Sequence, residues 1–475
     1  MIIARHYGRM LATLAASTIA ACGGGGGGEP VAGIDRGGVT IAQGPISGFG
    51  SVIVNGVRYS TSGATITVDD QPGTESDLRV GQVVRVEGTV DAAGTTGTAR
   101  RISFNDELEG PVQSIDLAAS RLVVLGQVVQ VGASTSFDDS IVPRGLEGLQ
   151  AGERIEVSGF VGADGVIAAT RIERKAAAAA VEVKGTAESV DTAARRFRIG
   201  QLQVDYSGAT LTGFASGQPA NGDVVEAYGT VSGAGALLAT RVEKRSTSLS
   251  GSTDDRADVE GLVTRLASAA DFDVAGQRVM TTAATRYEGG SAANLALNVN
   301  VEVEGSFDAS GRIVATKVEF RQAGDIELAG RVDAVNAAAS SFVVFGATVR
   351  TTAITRFEDK SAADVERFSL ADLRVGDFVE VRAYRDAGGL VATLLEREDA
   401  QSAVELRGIA TDVAPPNLRV GGIAATTGPQ TEYRDNNGVS IPAASFFAAA
   451  PGREVKLRGS LVNNVVLADR AELED

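Results

Sequence analysis

The sequence predicts an all-β protein of six tandem units, each a small five-stranded barrel, with small β-sandwiches as the alternative. Three observations carry this. A strand–turn–strand pattern, clearest at residues 149–173, occurs six times with starts about 62 to 78 residues apart, which marks a repeated domain. Upstream of each copy lies a second pair of β-branched runs around a Gly. Gly is abundant at 58 residues, Pro sparse at 11, and no long helical period interrupts the Val- and Thr-rich alternation.

Each element has a local reason. In Arg154-Ile155-Glu156-Val157-Ser158 apolar and polar residues alternate, as in a half-buried strand, and Gly159 is expected to end it. Ala163-Asp164-Gly165 gives a turn, and Ala168 to Glu173 returns. The first strand recurs as VVRVEG (83–88), VVEAYG (224–229), NVEVEG (300–305), FVEVRA (378–383) and EVKLRG (454–459). The upstream hairpin is expected to turn on Gly126-Gln127, Gly200-Gln201 and Gly276-Gln277 with Gly first, and on Asn55-Gly56 as type I′. An opening strand follows a Gly, as at Gly110 and Gly330. The approach to strand four carries Gly81, Gly152, Gly222, Gly376 and Gly452, but Asn298 in repeat four. That substitution predicts positive φ at all six positions, with Asn298→Gly neutral or mildly stabilising.

In chain order, 1–21 reads as an export signal and 22–43 as a tether that includes a six-Gly run. The units follow at 44–104, 107–174, 181–244, 258–320, 326–398 and 404–473. The Ser-rich segment 246–257 is expected to be the most flexible joint. Repeat five has the longest inserted loop, 359–369.

Ile19-Ala20-Ala21-Cys22 resembles the bacterial lipobox, which implies that Cys22 is lipidated and becomes the mature N-terminus. Gly23 after it resembles an outer-membrane address, so the expected location is the cell envelope. Five strands with Leu373-Arg-Val-Gly-Asp377 or Leu78-Arg-Val-Gly-Gln82 before strand four resemble OB-like barrels. The usual helix of that fold has little room, since repeat three offers only 211–220, so some copies are expected to be reduced barrels or curled sheets. The whole of 44–473 resembles an uncharacterised bacterial family of export-tagged lipoproteins with tandem domains of unknown function. That resemblance implies a fold and a location but no activity.

Chemistry is narrowed by composition. The sole His, His6, lies in the signal, and Cys22 is the sole Cys. A mature chain therefore has no His base or ligand, no thiol nucleophile and no internal disulfide. Loss of Arg5 and Arg9 takes the net charge from −16 to −18, which disfavours nucleic acid and anionic membrane surfaces. Carboxylate pairs at Asp69-Asp70, Asp138-Asp139 and Asp254-Asp255 are weak candidates for glycoside hydrolysis, because neighbours on a strand point apart. Turn residues Asp91, Asp164, Asp308 and Asp386 are candidate weak cation sites, each with one carboxylate. Phe137, Tyr287, Phe357 and Tyr433 recur in Thr-x-Phe/Tyr and read as barrel plugs. Arg171, Arg241 and Lys317 are expected on the outward face of strand five beside Glu173, Glu243 and Glu319, protecting the strand from edge pairing.

The expectation is a non-enzymatic, lipid-anchored envelope protein without cofactor. Its separate barrels would form a semi-flexible array that binds or spaces an unknown envelope protein or glycan. Alternatives are a periplasmic carbohydrate or small-ligand binder and, last, a carboxylate-dependent glycan-acting enzyme.

Overall fold

A computed structural model describes residues 39–436 and 438–474. The alternating runs become strands, and repeat two shows how they close. Its opening strand Leu108–Asp116 pairs antiparallel with Arg121–Val124, which turns back through Gln127–Phe137. That third strand runs parallel to the last, Ile167–Arg174. The last strand pairs antiparallel with Arg154–Val161, which returns to the opening strand with Ile155 opposite Gly110. The ring is closed, in the strand order of an OB-like barrel, and the other units follow it. The first begins before the expected boundary: Val39–Gly48 is its opening strand, so 39–43 belong to the barrel rather than to a tether.

The OB helix is reduced, as expected, yet the barrels still close. Three-residue 3-10 turns, Glu75–Asp77, Leu146–Gly148 and Ala292–Asn294, take its place in repeats one, two and four. Repeat six alone among the described residues keeps an α-helix there, Ala443–Ala449. Strand three is interrupted or bulged before the Thr-x-Phe/Tyr motif, and the Thr repairs the break. Thr135, Thr285, Thr355 and Thr431 each donate Oγ1 to a last-strand carbonyl, at 2.7, 2.7, 2.7 and 2.6 Å. The aromatic that follows packs on the core of its own barrel.

Two local expectations need correction. Gly159 does not end its strand; it sits at a β-bulge, and the strand runs on to Val161. The first hairpin turn is shifted by one residue in repeats two and four. Val124 pairs with Gln127, so the turn residues are Leu125 (φ 50°) and Gly126 (φ 71°); Ala275 and Gly276 do the same. Both central residues are left-handed, which is type I′. A bulky residue accepts that strain because its side chain is used. Leu125 and Phe345 are 1% and 2% exposed and fold over the opening strand at Gly110 and Gly330, where no Cβ would fit. This is why the opening strand carries Gly.

The barrels are not separate. Opening strands pair between units: repeat two with three (Glu182 opposite Glu109, Val183 opposite Leu108) and repeat five with six (Leu328 opposite Leu406). Repeat one pairs in parallel with repeat four (Ile41 opposite Ala257), although two units lie between them in sequence. Among the described residues the result is three sheets of 13, 12 and 11 strands. Apolar cores merge within the two–three and five–six pairs. The segment 246–257 is no loose joint either: Leu249 is 4% exposed, its N–H donates to Gln277 Oε1 at 2.9 Å, and Ser252 N–H caps on Asp255 at 2.7 Å.

Candidate functional site

The strand-five charges point outward from each barrel but inward in the molecule, because barrels pack on these faces. Arg171 is 4% exposed; its guanidinium reaches Glu173 at 2.5 Å, Glu358 of repeat five at 3.6 Å and the Val80 carbonyl of repeat one at 3.1 Å. Lys317 sits among Glu302, Glu304 and Glu319 at 3.3, 2.5 and 2.9 Å. Arg241 pairs with Glu243 and lies 3.7 Å over the Tyr228 ring. Arg356, 8% exposed, donates to the Thr170 and Ser134 carbonyls of repeat two. Arg171 and Arg356 join units, whereas Lys317 and Arg241 are spent on carboxylates and a ring of their own repeat.

Where repeats one, two and five meet, Glu75, Arg79, Asp139, Arg171, Lys360 and Arg367 line a charged cleft, and the inserted loop of repeat five forms one wall. Lys360 pairs with Glu358 and Asp139 at 2.7 Å each, and Arg367 reaches Glu75 at 3.1 Å. Burial pushes the Glu358 carboxyl up, but Lys360 and Arg171 outweigh it and hold the group below the ordinary range.

The adjacent Asp pairs do not form carboxylate pairs. Asp138 accepts from Ser140 N–H at 3.0 Å while Asp139 binds Lys360. Asp70 pairs with Arg245, whereas Asp69 faces the Asp106 N–H at 3.4 Å. Asp255 accepts from Ser252, and Asp254 is a left-handed turn residue. The candidate cation turns are likewise spent on their own loops. Asp91 accepts from Thr95 and Thr96, Asp164 from Val166, Asp308 from Ser310 and Arg312, and Asp386 from Gly388 and Arg350. The structure brings none of these four together. Cys22 lies outside the described residues.

Carboxylates distant in sequence do gather. Among the described residues, three groups have an oxygen from each member within 4.8 Å of the others: Asp70–Glu226–Glu243, Glu380–Glu396–Glu398 and Asp106–Glu109–Glu156. Arg245 pairs with every member of the first, and Arg144 with Glu396 and Glu398 of the second. The sequence held no signal for these groups, because cross-strand and cross-barrel registers bring them together.

The closed five-strand order and the six-fold recurrence define a tandem array of small OB-like barrels. The chain belongs to the family Domain of unknown function (DUF5666), whose sequence profile matches residues 40–103, 109–173, 184–243, 260–319, 329–396 and 407–472. No curated protein matches it. Among solved structures it is similar to a chain titled "drosophila Unr CSD456", at 12% identity over 59% of this chain and 97% of that one, with a TM-score of 0.12. A likeness that weak carries no argument about this chain.

Proposed function

We propose that this protein is a non-enzymatic, lipid-anchored component of the cell envelope, held at the outer membrane through Cys22. Its six barrels would act as one body that binds or spaces an envelope protein or glycan. The observation that supports this best is the use made of the repeated charges. Arg171 and Arg356 are consumed in joining barrels, so the units build a single surface rather than beads on a string. The net charge of −16 argues against a nucleic-acid partner.

Fractionation tests the anchor. The full chain should sediment with outer membranes and Cys22→Ser should move to the soluble fraction, since several acyl chains hold where ordinary surface contact does not. A serine variant that still sediments would end this reading. A second reading, a carbohydrate or small-ligand binder, is favoured by an apolar groove on repeat six lined by Pro415, Pro416, Pro429, Tyr433 and Phe447. A glycan array probed with the full chain separates the two. A carboxylate-dependent enzyme is the least supported, because basic side chains are paired into all three carboxylate groups: Arg245, Arg144, and Arg154 with Lys175.

A further inference from the structure

We propose that the junction of repeats one, two and three holds a divalent cation of the calcium class, ligated by the carboxylates of Asp106, Glu109 and Glu156. Strand register sets up the site. Glu109 on the opening strand of repeat two lies opposite Glu156 on one side and opposite Glu182 of repeat three on the other. Three carboxyl groups therefore sit side by side across neighbouring strands, an arrangement that is destabilising with all three ionised unless something relieves it.

The corresponding row at the junction of repeats five and six shows what is added. There Ala329 stands in the middle, opposite Glu380 and Glu405. Those two carboxylates are satisfied within the protein, by Arg382 at 2.6 Å and Lys456 at 3.0 Å. Glu109 is thus an extra carboxylate on a junction that closes without one.

Among the described residues, the local cations leave one carboxylate of the group, Asp106, without a partner. Arg154 pairs with Glu109 at 2.6 Å, Lys175 with Glu156 at 2.5 Å, and Lys184 with Glu107 at 2.6 Å. Asp106 has no ion pair among the described residues. It is 1% exposed, and its Oδ1 is fully buried with no hydrogen-bond donor. An orphaned buried carboxylate oxygen is costly in a protein interior. Here the residue lies against two further carboxylates, within 4.8 Å by one oxygen each. Asp69 and Glu182 add to the negative field around Asp106. Carboxylate oxygens alone, with no His and no Cys, select a hard cation, and calcium accepts irregular oxygen shells more readily than magnesium.

The test is calorimetric titration of the EDTA-stripped full chain with calcium chloride, alongside thermal unfolding with and without the ion. The parent should bind saturably and unfold at higher temperature with calcium. Glu109→Ala and Asp106→Asn should lose that heat and that shift, and Glu380→Gln should keep both. Glu109→Ala also removes a partner of Arg154, so the calcium shift of each variant is read against its own metal-free melt. Should Glu109→Ala fail to fold, Glu109→Gln, which keeps the side-chain shape, must show the same loss of binding. A parent that binds no calcium overturns the proposal and leaves shared protons as the means by which the row is tolerated. Binding undiminished in Glu109→Ala overturns it as well.

Discussion

Gly330→Ala is the sharpest probe of how each barrel closes. A Cβ at Gly330 would lie 2.9 Å from Phe345 Cζ and closer still to Cε1, whereas carbon atoms at rest stand about 3.5–4.0 Å apart. The ring cannot swing away cheaply. Phe345 is 2% exposed, sits at φ 56° in a two-residue turn, and belongs to the core shared by repeats five and six. Either the strand shifts, an overpacking cost of about 1–3 kcal/mol, or the ring leaves the core and forfeits a burial worth about 2–3 kcal/mol. Both routes predict a loss of about 2 kcal/mol. With about 2 cal/mol/K of unfolding entropy per residue over the whole body, that lowers the melting temperature by about 2 °C, read by circular dichroism on the full chain. In a Phe345→Gly background the ring that supplies the three nearest atoms is gone, and the same methyl should cost almost nothing. If Gly330→Ala melts with the parent, or costs the same in both backgrounds, the packing reason for the opening-strand glycine is wrong.

Two further outcomes follow from the same strand geometry. Asn298 has φ 65°, as its place among Gly81, Gly152, Gly222, Gly376 and Gly452 predicts, and all five glycines are also left-handed. Its Oδ1 moreover accepts from the Ala163 N–H of repeat two at 2.7 Å. Asn298→Gly should therefore lower stability by about 0.5–1 kcal/mol rather than be neutral, and Asn298→Val by about 2 kcal/mol, since strain is added; equal urea midpoints for Asn298→Gly and parent would show that the side-chain bond contributes nothing. The second concerns pH. Burial first, and then the neighbouring Glu226, raises the Glu182 carboxyl to about 9, while burial, opposed by Lys175 and aided by Glu173, takes Glu156 to about 7. The folded chain then keeps protons that the unfolded chain releases above its ordinary carboxyl range. In EDTA, stability should fall as pH rises from about 5 to 9, each tenfold difference in proton affinity being worth about 1.4 kcal/mol. Glu182→Gln should flatten that slope in a series of thermal melts, and a melting temperature that rises across the window would refute the assignment.

The barrel itself was legible in the sequence. Alternation in Arg154 to Ser158, turn chemistry at Asn55-Gly56 and the left-handed site at Asn298 are local properties, fixed by side-chain period and backbone sterics within a few residues. The turn at Leu125-Gly126 was misplaced by one residue because sequence favours Gly in the first position of one turn type and in the second of another. Only the register with Val124 and Gln127 chooses between them. What the tertiary structure alone decided is how the barrels meet. A polar residue that alternates out of a barrel looks the same whether it faces water or another barrel, so Arg171 read as an exposed edge guard although it is buried against Glu358. Likewise nothing local pairs repeat one with repeat four, or sets Glu109 between Glu156 and Glu182. Those contacts depend on which strand faces meet across long stretches of chain, and a short-range pattern carries no record of that.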